Sequence, residues 1–150
     1  MTIPLEILKI ARERARKLGA DYEGSVTPAE AHAIVQAEPA ARIVDVRTKA
    51  EWEYVGRVPD AVEIEWNTYP AKQRNPNFLA ELGAKVPKDA PVLFLCRSGG
   101  RSHAAALAAQ QAGYEQAFNI LEGFEGDTDA NQHRNTVGGW RTAGLPWVQG

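Results

Sequence analysis

The sequence is poor in the residues that would make its chemistry ambiguous. It has one cysteine, Cys96, in 150 residues. That excludes an internal disulfide and any cysteine-rich metal site. A lone thiol meant to stay reactive suits a reducing compartment, and the expected location is the cytoplasm. The three histidines, His32, His103 and His133, lack the spacing and the cysteine companions of a zinc site. Asp127, Asp129 and Asn131 resemble the start of a calcium loop, but Gln132 stands where glycine is needed and Gly138 where the closing glutamate belongs. No metal and no cofactor are expected. The net charge is -2, so there is no basic excess to neutralise phosphates, and no nucleic-acid partner is expected. No apolar run approaches the roughly 20 residues of a membrane span. Glu6 and Lys9 interrupt the apolar stretch that a signal peptide would need, so no membrane association is expected.

What remains is the composition of one globular domain, 44% hydrophobic and 24% charged. Residues 1–22 are read as an N-terminal helical extension and 23–150 as the domain proper. In the extension, Leu5, Leu8, Ala11, Ala15 and Leu18 share one helical face. Arg12, Arg14, Arg16 and Lys17 lie largely elsewhere, as a solvated basic face, and Gly19 is the stop. Thr27-Pro28-Ala29-Glu30 is a capping box opening a helix to about Ala37, and Thr48-Lys49-Ala50-Glu51 is a second, opening a short helix to about Tyr54. Ile43 to Val46, Val62 to Ile64, Val92 to Leu95 and Phe118 to Leu121 read as strands. Further helices are expected over Asn77 to Leu82, bracketed by Gly83, over Arg101 to Ala112, ended by Gly113, and near Gly139 to Ala143. The alternation predicts an α/β fold with a central, mostly parallel sheet flanked by helices. Ligands of such sheets bind beyond the carboxyl ends of the strands, and Cys96 directly follows Leu95.

The segment Cys96-Arg97-Ser98-Gly99-Gly100-Arg101-Ser102 carries the chemistry. Its glycines let successive N–H groups curl inward as an anion nest. The helix behind it adds more free N–H groups and the positive end of its dipole. Arg97 and Arg101 add permanent charge. A thiol placed there is stabilised as thiolate, its nucleophilic form. The hydroxyls of Ser98 and Ser102 are suited to bonding the sulfur or capping the helix.

With this loop in view, the chain resembles the single-domain rhodaneses, thiosulfate-type sulfurtransferases. The likeness spans roughly Val26 to Trp147. It rests on the run Ile43 to Trp52, on Gly56 to Ala61, on the loop Cys96 to Ser102, on Leu121-Glu122-Gly123 and on Gly138-Gly139-Trp140. The resemblance implies a rhodanese-like α/β fold in which Cys96 takes sulfane sulfur from thiosulfate or a similar small-molecule donor. A persulfide then passes it to cyanide or to a thiol such as thioredoxin or glutathione. Residues 97–102 would bind the donor, with Arg97 and Arg101 as its clamp. Asp45 and Arg47 form the family's Asp-x-Arg motif, and the expectation is that they brace the active loop: Asp45 by bonding it, Arg47 by pairing with Glu51.

Departures from the family pattern are also legible. Arg57 replaces the usual histidine and is expected to add positive charge near the site. The stretches from about Trp66 to Asn77 and from Asp127 to Val137 look longer than in a minimal member and are candidates to flank the pocket, with Trp66 or Tyr69 at its rim. Two other functions compete. A cysteine phosphatase or arsenate reductase places five residues between its cysteine and arginine, whereas four separate Cys96 from Arg101 and Ser102 holds the phosphatase position. A non-catalytic binding or regulatory module is the other alternative, although such modules commonly lose the cysteine. A thiol redox sensor is a third use of such a loop.

Overall fold

The computed structural model describes residues 3–150; Met1 and Thr2, at the start of the expected extension, lie outside the described residues. Five strands of the described residues form one sheet: β1 (Gly24–Val26), β2 (Arg42–Asp45), β3 (Val62–Glu63), β4 (Val92–Leu95) and β5 (Ala117–Ile120). Their spatial order is β1-β5-β4-β2-β3, and every pairing is parallel. Among the described residues five helices accompany them: α1 (Leu5–Lys17), α2 (Pro28–Ala37), α3 (Lys49–Tyr54), α4 (Phe78–Lys85) and α5 (Gly100–Gln111).

Because side chains alternate across a strand, β4 feeds two cores. Val92 and Phe94 pack with Phe78 and Leu82 of α4 and with Ala105, Ala106 and Ala109 of α5. Leu93 and Leu95 pack on the other face with Ala31 and Ile34 of α2, Phe124 and Trp140. The alanine-rich side of α5 lets that helix lie close to the sheet. Helix α1 closes the β1 edge, with Ala11 in one core and Ala15 in the other. Its basic residues are not simply solvated: Arg12 pairs with Glu23, and Arg14 forks onto Glu30 beneath the α2 cap.

Both capping boxes form, with Glu30 and Glu51 reaching back to the N–H groups of Thr27 and Thr48. Four expectations need correction. Strand β1 was not anticipated. Gly83 does not end α4, which runs on to Lys85. Residues 139–143 form a turn instead of a helix. Arg57 pairs with Glu63 at 3.4 Å and is absent from the walls of the main cleft, so it adds no net charge there.

The order of strands fixes where a ligand fits. From β2 the chain crosses to β3 on one side, and from β4 it crosses to β5 on the other. The segments leaving β2 and β4 therefore diverge and open a crevice at the carboxyl end of the sheet, the usual ligand position in such folds.

Candidate active site

Cys96 directly follows the central strand, at the carboxyl end of the sheet where this crevice opens. The chain must then turn sharply to start α5, and Gly99 makes the turn at φ +118° as the helix N-cap. The turn aims the Gly99 N–H at Cys96 Sγ, 3.0 Å away. On the opposite side, the segment after β5 ties down the outward carbonyls of the loop. Phe124 N–H donates to Cys96 O at 2.8 Å, and Glu125 N–H to Arg97 O at 3.0 Å. This approach is so close that a Cβ on Gly123 would lie 2.5 Å from the Arg97 carbonyl, which explains the glycine there. The carbonyls are thus held away from the sulfur.

Ser102, in the first turn of α5, is fully buried and brings Oγ to 3.3 Å from Sγ. The same oxygen contacts Asn119 Oδ1 at 2.5 Å and Gly99 O at 3.1 Å. Asn119 was not singled out in the sequence. It sits mid-strand among apolar residues, and a polar residue inside an apolar strand run is the signal that was available.

The two arginines of the loop behave differently. Arg97 is exposed and lines the cleft. Arg101 also lines it, but its guanidinium forks onto Glu51 of α3 at 2.8 and 3.1 Å. Burial works against the charge of Arg101. The hydrogen bond and charge of Glu51 outweigh it, helped by Cys96 and Asp45, and hold the guanidinium above its ordinary value. For Glu51, burial likewise favours the neutral acid, and the Arg101 pairing overrides it and lowers the carboxyl. Since Glu51 titrates lower in the folded chain than in the unfolded one, its stabilisation is complete at neutral pH. It is lost as pH falls through the lowered value.

Asp45 and Arg47 are brought together below the loop, both fully buried. Arg47 Nε and Nη2 bond the Asp45 carboxylate at 2.9 and 2.7 Å, and Nη2 also donates to Gly56 O at 2.8 Å. Hence Asp45 does not bond the Cys96 loop, and Arg47 does not pair with Glu51. Arg47 instead lies against the Phe124 ring, 4.3 Å from its centroid, and Phe124 is the residue that holds Cys96 O.

The crevice is a cleft of about 570 Å³. Thr48, Ala50, Glu51, Tyr54 and Val55 form one wall, and Asn67, Thr68, Tyr69 and Lys72 another. The second wall is a small hairpin. Thr68 N–H donates to Gln73 O and Asn75 N–H to Trp66 O, and Arg74 stacks on Trp66 at 3.6 Å. Tyr69 is at the rim, while Trp66 is buried at the hairpin's base. Residues 127–137 do not line this cleft; Asp129 folds them into a separate turn. His103 bonds Tyr22 through Nδ1 at 2.8 Å. Cys96 itself is 1% exposed and is not among the residues that line the cleft. No cluster able to hold a metal ion occurs among the described residues.

The fold and the site define an α/β protein with one buried thiol in a loop at the carboxyl end of its central parallel strand. More specifically, the chain belongs to the Rhodanese-like domain family, whose model matches residues 27–130. The crystal structure of Rv0390 from M. tuberculosis superposes with a TM-score of 0.80 at 48% identity, covering 87% of this chain and all of that one. Protein RP600 of Rickettsia prowazekii is 39% identical over 111 residues, covering 71% of this chain and 82% of the relative. A protein of Allochromatium vinosum named a sulfurtransferase is 33% identical over 82 residues, 55% of this chain and 66% of that protein. The family thus includes sulfurtransferases. No helix among the described residues is long and apolar enough to cross a membrane.

Proposed function

We propose that this chain is a rhodanese-type sulfurtransferase of the cytoplasm. It moves sulfane sulfur from thiosulfate or a similar anionic donor, through a persulfide on Cys96, to cyanide or a thiol such as thioredoxin or glutathione. The observation that carries the reading is the Gly99 N–H aimed at Cys96 Sγ from the N-terminus of α5. In the first half-reaction the Cys96 thiolate attacks the outer sulfur of thiosulfate. The donor's S–S bond breaks and sulfite leaves with the electron pair. In the second, the acceptor attacks the outer sulfur of the persulfide and Cys96 departs as thiolate. With one cysteine in the chain, no internal thiol resolves the persulfide, so the acceptor is a separate molecule. The cleft volume exceeds what thiosulfate alone fills, which supports an acceptor with an organic body.

Thiosulfate, mercaptopyruvate and an organic persulfide, offered in turn, test the proposal by intact mass. The expected result is a gain of one sulfur, about 32 Da, removed by reductant. Hydrolysis of an aryl phosphate without sulfur gain would favour the phosphatase reading. The burial of Cys96 favours a non-catalytic module, and that reading prevails if the protein does neither.

The charge layout predicts opposite effects on donor use. Arg97→Ala removes the exposed cation that adjoins Cys96 in the cleft, leaving Lys72 on the far wall, and should raise KM for thiosulfate about tenfold with little loss of stability. Glu51→Gln releases the Arg101 fork toward the cleft and should lower that KM. Steady-state kinetics with thiosulfate check both, and unchanged KM values in the pair would remove the donor-clamp role.

A further inference from the structure

We infer that Asn119 is a positioning residue that directs the single proton of the Ser102 hydroxyl and so sets the balance between thiol and thiolate at Cys96. Asn119 lies in β5, in register with Phe94 of β4 and 3% exposed. A buried amide is costly unless it is bonded, and this one is bonded at both ends. Its Nδ2 donates to Gly99 O at 3.4 Å, and its Oδ1 faces Ser102 Oγ at 2.5 Å. The reversed amide would set two acceptor oxygens, its own and that of Gly99, against each other, so the orientation is fixed by chemistry.

Ser102 has one hydrogen and three acceptors in reach: Asn119 Oδ1 at 2.5 Å, Gly99 O at 3.1 Å and Cys96 Sγ at 3.3 Å. The shortest contact is to an atom that can only accept. The hydrogen therefore lies on the Asn119 side, and Ser102 turns a lone pair toward the sulfur. That arrangement matches a protonated Cys96, whose S–H donates to Ser102. It also matches a persulfide, in which Sγ carries no charge. A thiolate keeps the Gly99 N–H as donor and gains a second one only in the opposite arrangement, with the hydroxyl rotated to donate to Sγ and Asn119 Oδ1 left without its partner. Asn119 thus favours a resting thiol over a standing thiolate. The charged groups on the loop and on the elements packed against it include two ion pairs, Arg101 with Glu51 and Asp45 with Arg47, together with Glu125, which pairs with Arg141, Glu122, which accepts from Gly139 N–H, exposed Arg97, and His103, whose ring is bonded to Tyr22. All are retained in the comparison below.

The test is a titration of thiolate ultraviolet absorbance, with the Cys96→Ser protein as the blank. The single cysteine makes the signal unambiguous. Asn119→Ala should move the profile to lower pH by about one unit, a tenfold change in the thiol–thiolate ratio, as one neutral hydrogen bond is freed for the sulfur. In a Ser102→Ala background the same substitution should produce no shift. Asn119→Thr, a strand-forming side chain too short to reach Ser102, should reproduce the alanine result and covers a failure of Asn119→Ala to fold. An unmoved profile overturns the inference, as does a shift of equal size without Ser102. The inference rests on Cys96 being the reactive group, but the titration reads the thiol whether or not it carries sulfur. A failure of the sulfurtransferase proposal is therefore seen separately, in the mass measurement.

Discussion

Cys96→Ser is expected to reduce sulfur gain from every donor to the background seen without protein. The substitution is nearly isosteric. The Gly99 N–H and the Ser102 hydroxyl still find an oxygen where the sulfur was, and the buried position stays filled. Stability should change by no more than about 1 kcal/mol. Reactivity is another matter. A serine hydroxyl is not ionised at neutral pH, and nothing in the loop is a base positioned to activate it. The groups bonded to the sulfur are a backbone N–H and a neutral hydroxyl, and that hydroxyl is itself bonded to a neutral amide. No other thiol exists to bypass the block. Intact mass after incubation with thiosulfate reads the result, with thermal unfolding as the control for the fold. Retained sulfur gain in a folded Cys96→Ser protein would place the carrier elsewhere and remove the proposed mechanism.

The same loop shows how far the sequence could be read. Elements specified by neighbouring residues were legible. The capping boxes at Thr27 and Thr48 form as their spacing requires, and Val92–Leu95 is the central strand its run of apolar residues predicted. Elements specified by distant partners were not. Gly24-Ser25 has no strand preference and becomes β1 because it pairs with Phe118 and Asn119 of β5. Gly83 stays inside α4 because it lies on an exposed side of the helix, where a glycine costs only about 1 kcal/mol relative to alanine. Gly139, at φ +108°, packs against Gly126 and stops the expected final helix. The site divides the same way. The cysteine, glycines and hydroxyls of the loop were visible as a motif. The partners that assign their roles stand 50 residues away, for Glu51 on Arg101, and 17 away, for Asn119 on Ser102. The motif at Asp45 and Arg47 carried the expectation that Arg47 pairs with Glu51. That pairing fails because Arg47 precedes α3 and turns into the core.

The inward turn of Arg47 leads to the second large expected effect. Arg47→Ala should cost about 3–5 kcal/mol, because it leaves the Asp45 carboxylate buried without its counter-charge. Neither side chain has any solvent exposure, so water does not compensate. The loss also orphans Gly56 O and removes the guanidinium from the face of Phe124. Against a typical total of about 5–15 kcal/mol, this is a large fraction of the protein's stability. Replacing both partners should cost far less. Asp45→Asn with Arg47→Met removes the charges together and keeps the volume, a change that is often nearly neutral in other buried pairs. Denaturant midpoints for Asp45→Asn, Arg47→Met and their double variant close the cycle, with Arg47→Ala measured beside them. A cost below about 1 kcal/mol for Arg47→Ala would show that water or a neighbouring cation reaches Asp45. Sulfur transfer in the double variant separates the two consequences of the pair. If its stability returns while transfer stays impaired, Arg47 acts on the site through Phe124, whose N–H fixes the Cys96 carbonyl and with it the direction in which the sulfur points.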